Sequence, residues 1–187
     1  MASGFSRTSR IASCDLLVVF PRHPEHLETF DYCGPYRYFL TFCTHARARH
    51  FVIAAHVATV LEQILRAAAD EHMAIVAYCF MPDHLHLLVE GSRDDSDCLS
   101  FIRRAKQFSG FYFKKAHGKQ LWQRYGHERV LRSDERTLSV ARYIFENPVR
   151  AGLAERVDDY PFLGSKTHAV SEILEAVQIK PVTSKSR

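Results

Sequence analysis

The spacing of apolar residues predicts strands and helices along most of the chain. In residues 56–70 the apolar side chains recur every three or four positions, as they do on the buried face of a helix. Residues 36–44 are rich in aromatic and β-branched side chains, which favour a strand. The predicted elements, in order, are a strand over 36–44, a helix over 56–70, a hairpin over 74–90 that turns at 81–83, a helix over 97–117 that Gly118 ends, a strand over 129–132, and a helix from Ser133 that Pro148 ends.

This order of elements predicts the fold class. Strand, helix, hairpin, helix and strand in succession form a split βαβ arrangement. We therefore expect an α+β protein in which the helices cover one face of an antiparallel sheet and leave the other face open. The open face is where we expect polar functional side chains to lie.

The length of the chain indicates one domain with extensions. The 187 residues suffice for one hydrophobic core, with little left for a second. Residues 1–34 contain Pro and Gly without sustained periodicity, so we expect an irregular N-terminal lead-in. We assign residues 35–165 to the domain itself. Residues 166–187 are expected to be a C-terminal segment that is partly disordered, particularly beyond Gln178.

Cysteine content and hydropathy narrow the class of protein. The five cysteines are odd in number and form no Cys-x-x-Cys pair, which argues for reduced thiols and against a disulfide scaffold or a zinc knuckle. No apolar run approaches the roughly 20 residues of a membrane span. We therefore expect a cytoplasmic protein that does not enter a membrane.

Positive charge is concentrated in one part of the chain. Residues 101–132 hold nine Lys and Arg residues against Glu128 alone, a net charge of +8, whereas the whole chain carries +4. Cations can follow phosphates while the interleaved aromatic rings stack on unpaired bases, for about 1–3 kcal/mol each. The segment therefore predicts a surface for single-stranded nucleic acid. The alternative, a solvated basic helix whose rings pack in the core, stays open.

Two histidines in the second strand of the hairpin form a candidate metal site. Side chains of a strand alternate between faces, so His84 and His86 point the same way, whereas the aliphatic residues between and after them point toward the core. Imidazole binds divalent transition ions well, and two rings on one face can reach the same ion. We favour metal binding over a surface strand that happens to carry histidines.

The predicted third helix presents a phenol beside a carboxamide. Tyr143 and Asn147 are four residues apart, which places them on the same side of the helix, one turn apart. Asn supplies a hard oxygen suited to Mg²⁺ or Mn²⁺, and a phenol can act as a nucleophile once it is deprotonated or metal-assisted. From the residues alone, a rim tyrosine and an asparagine that terminates the helix before Pro148 remain the simpler interpretation.

Three motifs in a fixed order resemble one known family. The motifs are His84-Leu85-His86 after Met81-Pro82, then Leu121-Trp122-Gln123, then YIFENPVRAGL over residues 143–153. Together they closely resemble the single-tyrosine HUH transposases, in particular the REP-associated tyrosine transposase branch. The resemblance covers about residues 36–163. It implies a ferredoxin-like fold and metal-dependent cutting and rejoining of single-stranded DNA, usually near hairpins.

The resemblance also implies roles for individual residues. Carried over by motif, Tyr143 is the nucleophile that forms a 5′-phosphotyrosine link, and His84, His86 and Asn147 hold a divalent metal ion, Mg²⁺ or Mn²⁺. Asp83 stands where many relatives have Asn, and we expect little consequence because it is a turn position. The expected partner is single-stranded or hairpin DNA, bound by a monomer or a homodimer. The expected DNA-binding residues are Arg103, Arg104, Lys106, Lys114, Lys115, Trp122, Gln123, Arg124, Arg132 and Arg150.

Two other functions are compatible with the sequence. One is a domesticated protein that binds DNA hairpins but is not mobile. The other is a metal-dependent nuclease that uses water and leaves Tyr143 with a structural role. The intact histidines and Tyr143 argue against lost chemistry, but they do not argue against domestication.

Overall fold

A five-stranded antiparallel sheet lies at the centre of the structure, a computed structural model that describes residues 31–124, 127–131 and 134–178. Three short 3₁₀ turns, at His45–Arg47, His50–Val52 and Val157–Asp159, lie between the longer elements. Within the described residues those elements are, in chain order, β1 (Arg37–Cys43), α1 (Ala54–Asp70), β2 (Met73–Met81), β3 (His84–Gly91), α2 (Cys98–His117), β4 (His127–Leu131), α3 (Asp134–Arg150), β5 (Leu163–Gly164) and α4 (Val170–Gln178).

The strands lie in the order β4-β1-β3-β2-β5, with β1 and β3 paired near the centre. Thr41 is opposite His86 and Cys43 is opposite His84 in this pair. The predicted hairpin is confirmed, with β2 and β3 joined by a turn at Pro82 and Asp83. This register brings both histidines to the end of the sheet that the hairpin turn forms.

One face of the sheet is covered by α1 and α2. Leu85, Leu87 and Val89 lie in the core on this face, as the alternation along β3 predicted. Val60 and Ile64 of α1 are fully buried in the same core. The helix predicted over 56–70 is therefore confirmed, and its predicted apolar stripe packs in this core.

The bounds of α2 follow from local signals at both ends. The Asp97 Oδ1 accepts a hydrogen bond of 2.9 Å from the Ser100 backbone N–H, which caps the first turn. Gly118 has a φ of 68°, a left-handed conformation that ends the helix and that glycine adopts without a steric penalty. The bounds predicted for this helix are confirmed.

The second face of the sheet is covered as well, which corrects one part of the fold prediction. The α+β class and the antiparallel sheet are confirmed, but the helices do not lie on one face only. Ile144 and Phe145 of α3 are fully buried against a second core that includes Cys79 and Leu88, and Ile173 of α4 joins it. The physical reason is visible in β2, whose residues are apolar on both faces, as in a strand with a layer on either side.

The prediction that Pro148 ends the third helix is wrong, because α3 continues to Arg150. Proline lacks the N–H that would bond to the Ile144 carbonyl, and this usually stops a helix. Here the Asn147 Nδ2 donates to the Tyr143 carbonyl at 2.9 Å and to the Ile144 carbonyl at 3.5 Å. The Asn147 side chain thus supplies donors to the turn in which the proline has no N–H to donate.

Structure beyond the predicted elements occurs at both ends of the described chain. Tyr32 packs into the first core, and its carbonyl accepts a hydrogen bond from the Tyr38 hydroxyl at 3.1 Å. β5 pairs with β2 at Tyr78 and Cys79, and α4 follows it. The expected lead-in over residues 1–30 and the expected loose tail beyond Gln178 lie outside the described residues, and the domain limits stay a prediction.

The expectations about cysteines and membranes were checked over the described residues. Their four cysteines, Cys33, Cys43, Cys79 and Cys98, are free thiols, as predicted. None of the helices in the described ranges combines the length and the apolar character that crossing a membrane requires.

Candidate active site

The first residues of β3 present two imidazoles side by side. His84 and His86 project from the same face of the strand, and their Nε2 atoms are 3.1 Å apart. His86 is buried, whereas His84 is partly exposed at the hairpin turn. The predicted pairing of these two side chains is therefore present in the structure.

The other ring nitrogen of each histidine has its own partner. The Nδ1 of His84 is 2.7 Å from Oδ1 of Asp83, and the Nδ1 of His86 is 3.0 Å from Oγ1 of Thr41. Because an ionised carboxylate only accepts hydrogen bonds, the proton of neutral His84 lies on Nδ1. Its Nε2 lone pair is then directed at the place where the two rings meet.

Both histidines are held in the neutral form that binds metals. Burial lowers the pKa of His84, although the hydrogen bond to Asp83 opposes this shift. Burial lowers the pKa of His86 to about 3, with further lowering by the positive charges that surround it, those of Arg150 and Arg47 among them. At neutral pH the imidazoles are therefore available as ligands.

The geometry of the pair fits a shared divalent ion. Two ligands about 2.1 Å from one ion at right angles stand about 3.0 Å apart, close to the separation of the Nε2 atoms. In the described part of the chain no group of three His, Cys, Asp or Glu side chains is arranged to hold a metal. A third protein ligand there would have to be of another type, and the Asn147 carboxamide is the type that the sequence predicted.

Tyr143 stands next to the histidines because α3 packs on their face of the sheet. Its ring centroid is 6.5 Å from that of His86 and 6.2 Å from that of Phe39. The side chain keeps 40% of its surface exposed, so a substrate can reach the phenol. The structure brings together Tyr143 and the two histidines, which lie 57 to 59 residues away along the chain.

Arg150 covers the other side of this tyrosine. Its guanidinium carbon is 4.1 Å from the centroid of the Tyr143 ring, and its Nη2 donates to the Tyr143 carbonyl at 2.9 Å. A second contact, to Glu146 at 3.6 Å, fixes the guanidinium further. The predicted role of Arg150 in DNA binding stays a prediction, and its position places any such contact at the site itself.

The predicted DNA-binding cations differ in how exposed they are and in whether they pair with groups of the protein itself. Arg103, Lys114 and Lys115 are exposed along α2. Arg104 is paired instead with Glu71 at 2.5 Å and with Asp70 at 3.5 Å. The Lys106 ammonium is half-buried and donates to the backbone carbonyls of residues 123 and 124, and burial lowers its pKa.

Trp122 is a core residue, which corrects its prediction as a DNA contact. Only 6% of its surface is exposed, and its indole N–H donates to Ser109 Oγ at 2.8 Å. The ring packs against Phe42 and Phe51, and too little of its surface is exposed for a nucleobase to stack on it. The sequence had left this alternative open for the aromatic residues of the basic segment.

A surface cavity of about 390 Å³ lies beside the buried tryptophan. Gln123 and Arg124 line it together with Lys114 and Phe111, and the Phe111 ring is 62% exposed. The backbone N–H of Gln123 donates to the Cys43 carbonyl, and Cys43 is opposite His84 in the sheet. The cavity therefore adjoins the histidine end of the sheet.

Arg132, which was also predicted to bind DNA, lies outside the described residues.

The sequence analysis did not identify Arg47, Thr41 or the contacts of Asp83. Asp83 was described only as a turn position, and in the structure it bonds to His84 and pairs with Arg47 at 2.9 Å. The one local signal was an acid directly before a candidate ligand. Arg47 lies 36 residues earlier, and its proximity depends on the turn between β1 and α1.

The chain is similar to members of one known protein family. A family model described as "Transposase IS200 like" matches residues 35–147, more than half of the chain. A REP-associated tyrosine transposase of Escherichia coli (strain K12) is 30% identical over 100 residues, 53% of this chain and 58% of the relative. A Haemophilus influenzae protein, described as a candidate REP-associated tyrosine transposase, is 31% identical over 109 residues, 52% of this chain and 62% of the relative.

A solved structure is similar as well. It is that of a REP-associated tyrosine transposase bound to a REP hairpin, with a TM-score of 0.60 and 25% sequence identity. The match covers 71% of this chain and 78% of that chain. The chain spans about 60% of the length of the two curated relatives that it matches.

Proposed function

Since the chain belongs to the IS200-like transposase family, we propose that it cuts and rejoins single-stranded DNA beside a hairpin, with Tyr143 as the nucleophile. The observation that carries this proposal is the position of the Tyr143 ring, 6.5 Å from the ring of His86. A tyrosine with only a structural role in α3 has no need to lie exposed beside two imidazoles whose Nε2 atoms converge.

The histidines and Asn147 are the residues proposed to hold a divalent ion, Mg²⁺ or Mn²⁺. His84 and His86 offer their Nε2 lone pairs, and among the described residues the Oδ1 of Asn147 accepts no hydrogen bond. When bound, such an ion supplies Lewis-acid polarisation of the scissile phosphate. The chain itself orients the ligands through the Nδ1 contacts to Asp83 and Thr41.

The proposed reaction is a reversible transesterification. The Tyr143 hydroxyl loses its proton and its oxygen forms a bond to phosphorus. The bond from phosphorus to the 3′ oxygen breaks, and that oxygen takes up a proton, so no proton is gained or lost overall. The products are a 5′-phosphotyrosine link and a free 3′-hydroxyl group. Because the link keeps a phosphodiester bond, attack by a 3′-hydroxyl can reverse the step and rejoin the strand.

The proposed DNA surface runs along α2 into the cavity at the histidine end of the sheet, on the face opposite the one from which the histidines project. Arg103, Lys114 and Lys115 are exposed there, and the Phe111 ring is free to stack on an unpaired base. The similar solved structure is bound to a REP hairpin, which supports a DNA hairpin as the partner here. This surface adjoins the end of the sheet that holds the histidines.

The test is cleavage of labelled hairpins with single-stranded flanks, chosen from DNA beside the gene. Mn²⁺ should support cutting, excess chelator should stop it, and Tyr143→Phe should abolish it. Tyr112→Phe, which removes the hydroxyl of another exposed tyrosine, should cut like the wild type. If Tyr143→Phe still cuts and forms no covalent adduct, the protein is a nuclease that uses water, whereas cutting with an adduct shows that another tyrosine is the nucleophile. If the wild type binds hairpins and never cuts, it is a binding protein.

A further inference from the structure

Asp83 and Arg47 lie behind His84 in an arrangement that the reaction proposed above does not by itself require. Asp83 Oδ1 is 2.7 Å from His84 Nδ1, and Asp83 Oδ2 is 2.9 Å from Arg47 Nε. We infer that these two residues are positioning residues, which hold His84 in the tautomer and orientation of a metal ligand. This inference rests on the proposed function, since it concerns the same metal site.

Each oxygen of the Asp83 carboxylate already has a partner on this chain. One carboxylate oxygen is bonded to the imidazole and the other to the guanidinium. Asp83 therefore acts through His84 and is not itself a ligand. A carboxylate in this position fixes the proton on Nδ1, leaves the lone pair on Nε2 and makes the imidazole a stronger donor to a metal.

The backbone of Asp83 is fixed by the loop that follows β1. The Thr44 N–H and Oγ1 donate to the Asp83 carbonyl at 3.0 and 2.9 Å, and the Phe51 N–H donates to the Pro82 carbonyl at 3.0 Å. The hairpin turn is therefore held by three hydrogen bonds from one loop. This fixed backbone lets the side chain of Asp83 determine the orientation of the His84 ring.

Arg47 reaches Asp83 from an unusual backbone conformation in that loop. Ala46 and Arg47 have φ values of 52° and 54°, a left-handed region that residues other than glycine rarely adopt. The Arg47 guanidinium also contacts Cys43 Sγ at 2.9 Å, next to the histidine end of the sheet. Side-chain contacts to Asp83 and Cys43 thus accompany the strained turn, as expected where a strained conformation serves a site.

His86 has a different kind of support. Its Nδ1 contacts the Thr41 hydroxyl, which can donate or accept and so serves either tautomer. Asp83 can only accept, so it determines the tautomer of His84 alone. The prediction is that the two ligands respond differently to loss of their partners, with the larger effect at His84.

The first test measures the tautomer of His84 by ¹⁵N nuclear magnetic resonance of the full chain. The wild type should show Nδ1 protonated and Nε2 unprotonated. Asp83→Ala should give a mixture of tautomers at His84, whereas Asp83→Asn, which keeps an acceptor of the same size, should retain the wild-type tautomer. An unchanged His84 spectrum in Asp83→Ala would overturn the inference.

The second test measures Mn²⁺ affinity by calorimetry. Asp83→Ala should weaken binding about 10- to 100-fold, the usual effect of losing such a partner, and Asp83→Asn should weaken it less. Arg47→Gln should also weaken binding, whereas the control Arg49→Gln, an exposed cation of the same loop, should not. Equal affinity in the wild type and Asp83→Ala would overturn the positioning role and leave the proposed reaction standing. Failure of the wild type to bind Mn²⁺ would overturn the metal site and this inference together.

Discussion

Replacing Arg103, Lys114 and Lys115 together with Ala should flatten the salt dependence of single-stranded DNA binding. These three cations are exposed on α2, and none of them pairs with an acidic side chain of the described residues. Each phosphate contact releases counterions, so each contributes about 0.7 to the slope of log K against log salt for a single strand. Loss of three contacts should therefore reduce the slope by about 2.

The consequence for affinity follows from the same slope. Between about 50 and 200 mM salt, the three contacts should account for about a 20-fold fall in wild-type affinity that the triple variant does not show. Lys106 is left out of the variant because its ammonium is bonded to two backbone carbonyls. Arg104 is left out because it pairs with Glu71.

The assay is fluorescence anisotropy with a labelled single strand of mixed sequence, titrated at several salt concentrations. A matched control removes three exposed cations elsewhere, Arg93, Arg156 and Lys166, so the change in net charge is the same. The control should keep the wild-type slope. Equal slopes for the wild type and the α2 variant, or equal flattening in both variants, would refute the assignment of the DNA surface to α2.

Three further predictions concern stacking, the second core and pH. Phe111→Ala should weaken single-strand binding by about 1–3 kcal/mol in the same anisotropy assay, with little effect on stability, because its exposed ring is the proposed stacking platform. Phe145→Ala should lower the free energy of unfolding in urea by about 3–5 kcal/mol, since the ring is fully buried between α3 and the sheet; a loss below 1 kcal/mol would contradict that packing. Burial lowers the pKa of His50 below its ordinary 6.5, so the unfolded state takes up a proton first, and stability should fall as the pH drops below about 6.5. In His50→Gln, urea unfolding should depend less on pH over that range; an equal dependence would show that other groups are responsible.

Local patterns predicted those features that depend on neighbouring residues. Asp97 and Gly118 bound α2 as expected, because capping and a left-handed C-terminal residue are decided within one turn of the chain. The period of two in β3 placed His84 and His86 on one face and Leu85 and Leu87 on the other. The candidate ligands could therefore be found from spacing alone.

The features that were missed depend on contacts between distant segments. An aromatic ring in a basic segment can stack on a base or fill a core, and only the packed structure shows that Trp122 is buried while Phe111 is exposed. Arg47 reaches Asp83 through a left-handed turn that Ala46 gives no reason to expect. Pro148 was expected to end a helix, and only the reach of the Asn147 side chain shows how α3 continues past it.

Mass spectrometry of the protein after reaction with a cleavable hairpin tests the central claim most directly. The proposal predicts a covalent nucleotide adduct, stable to denaturant, on the peptide that contains Tyr143, with the modification mapped to that residue. Tyr143→Phe should give no adduct and should still bind the hairpin, because the ring and its contacts with Phe39 and Arg150 remain. An adduct on another tyrosine, or cutting with no adduct in the wild type, would contradict the assignment of Tyr143 as the nucleophile.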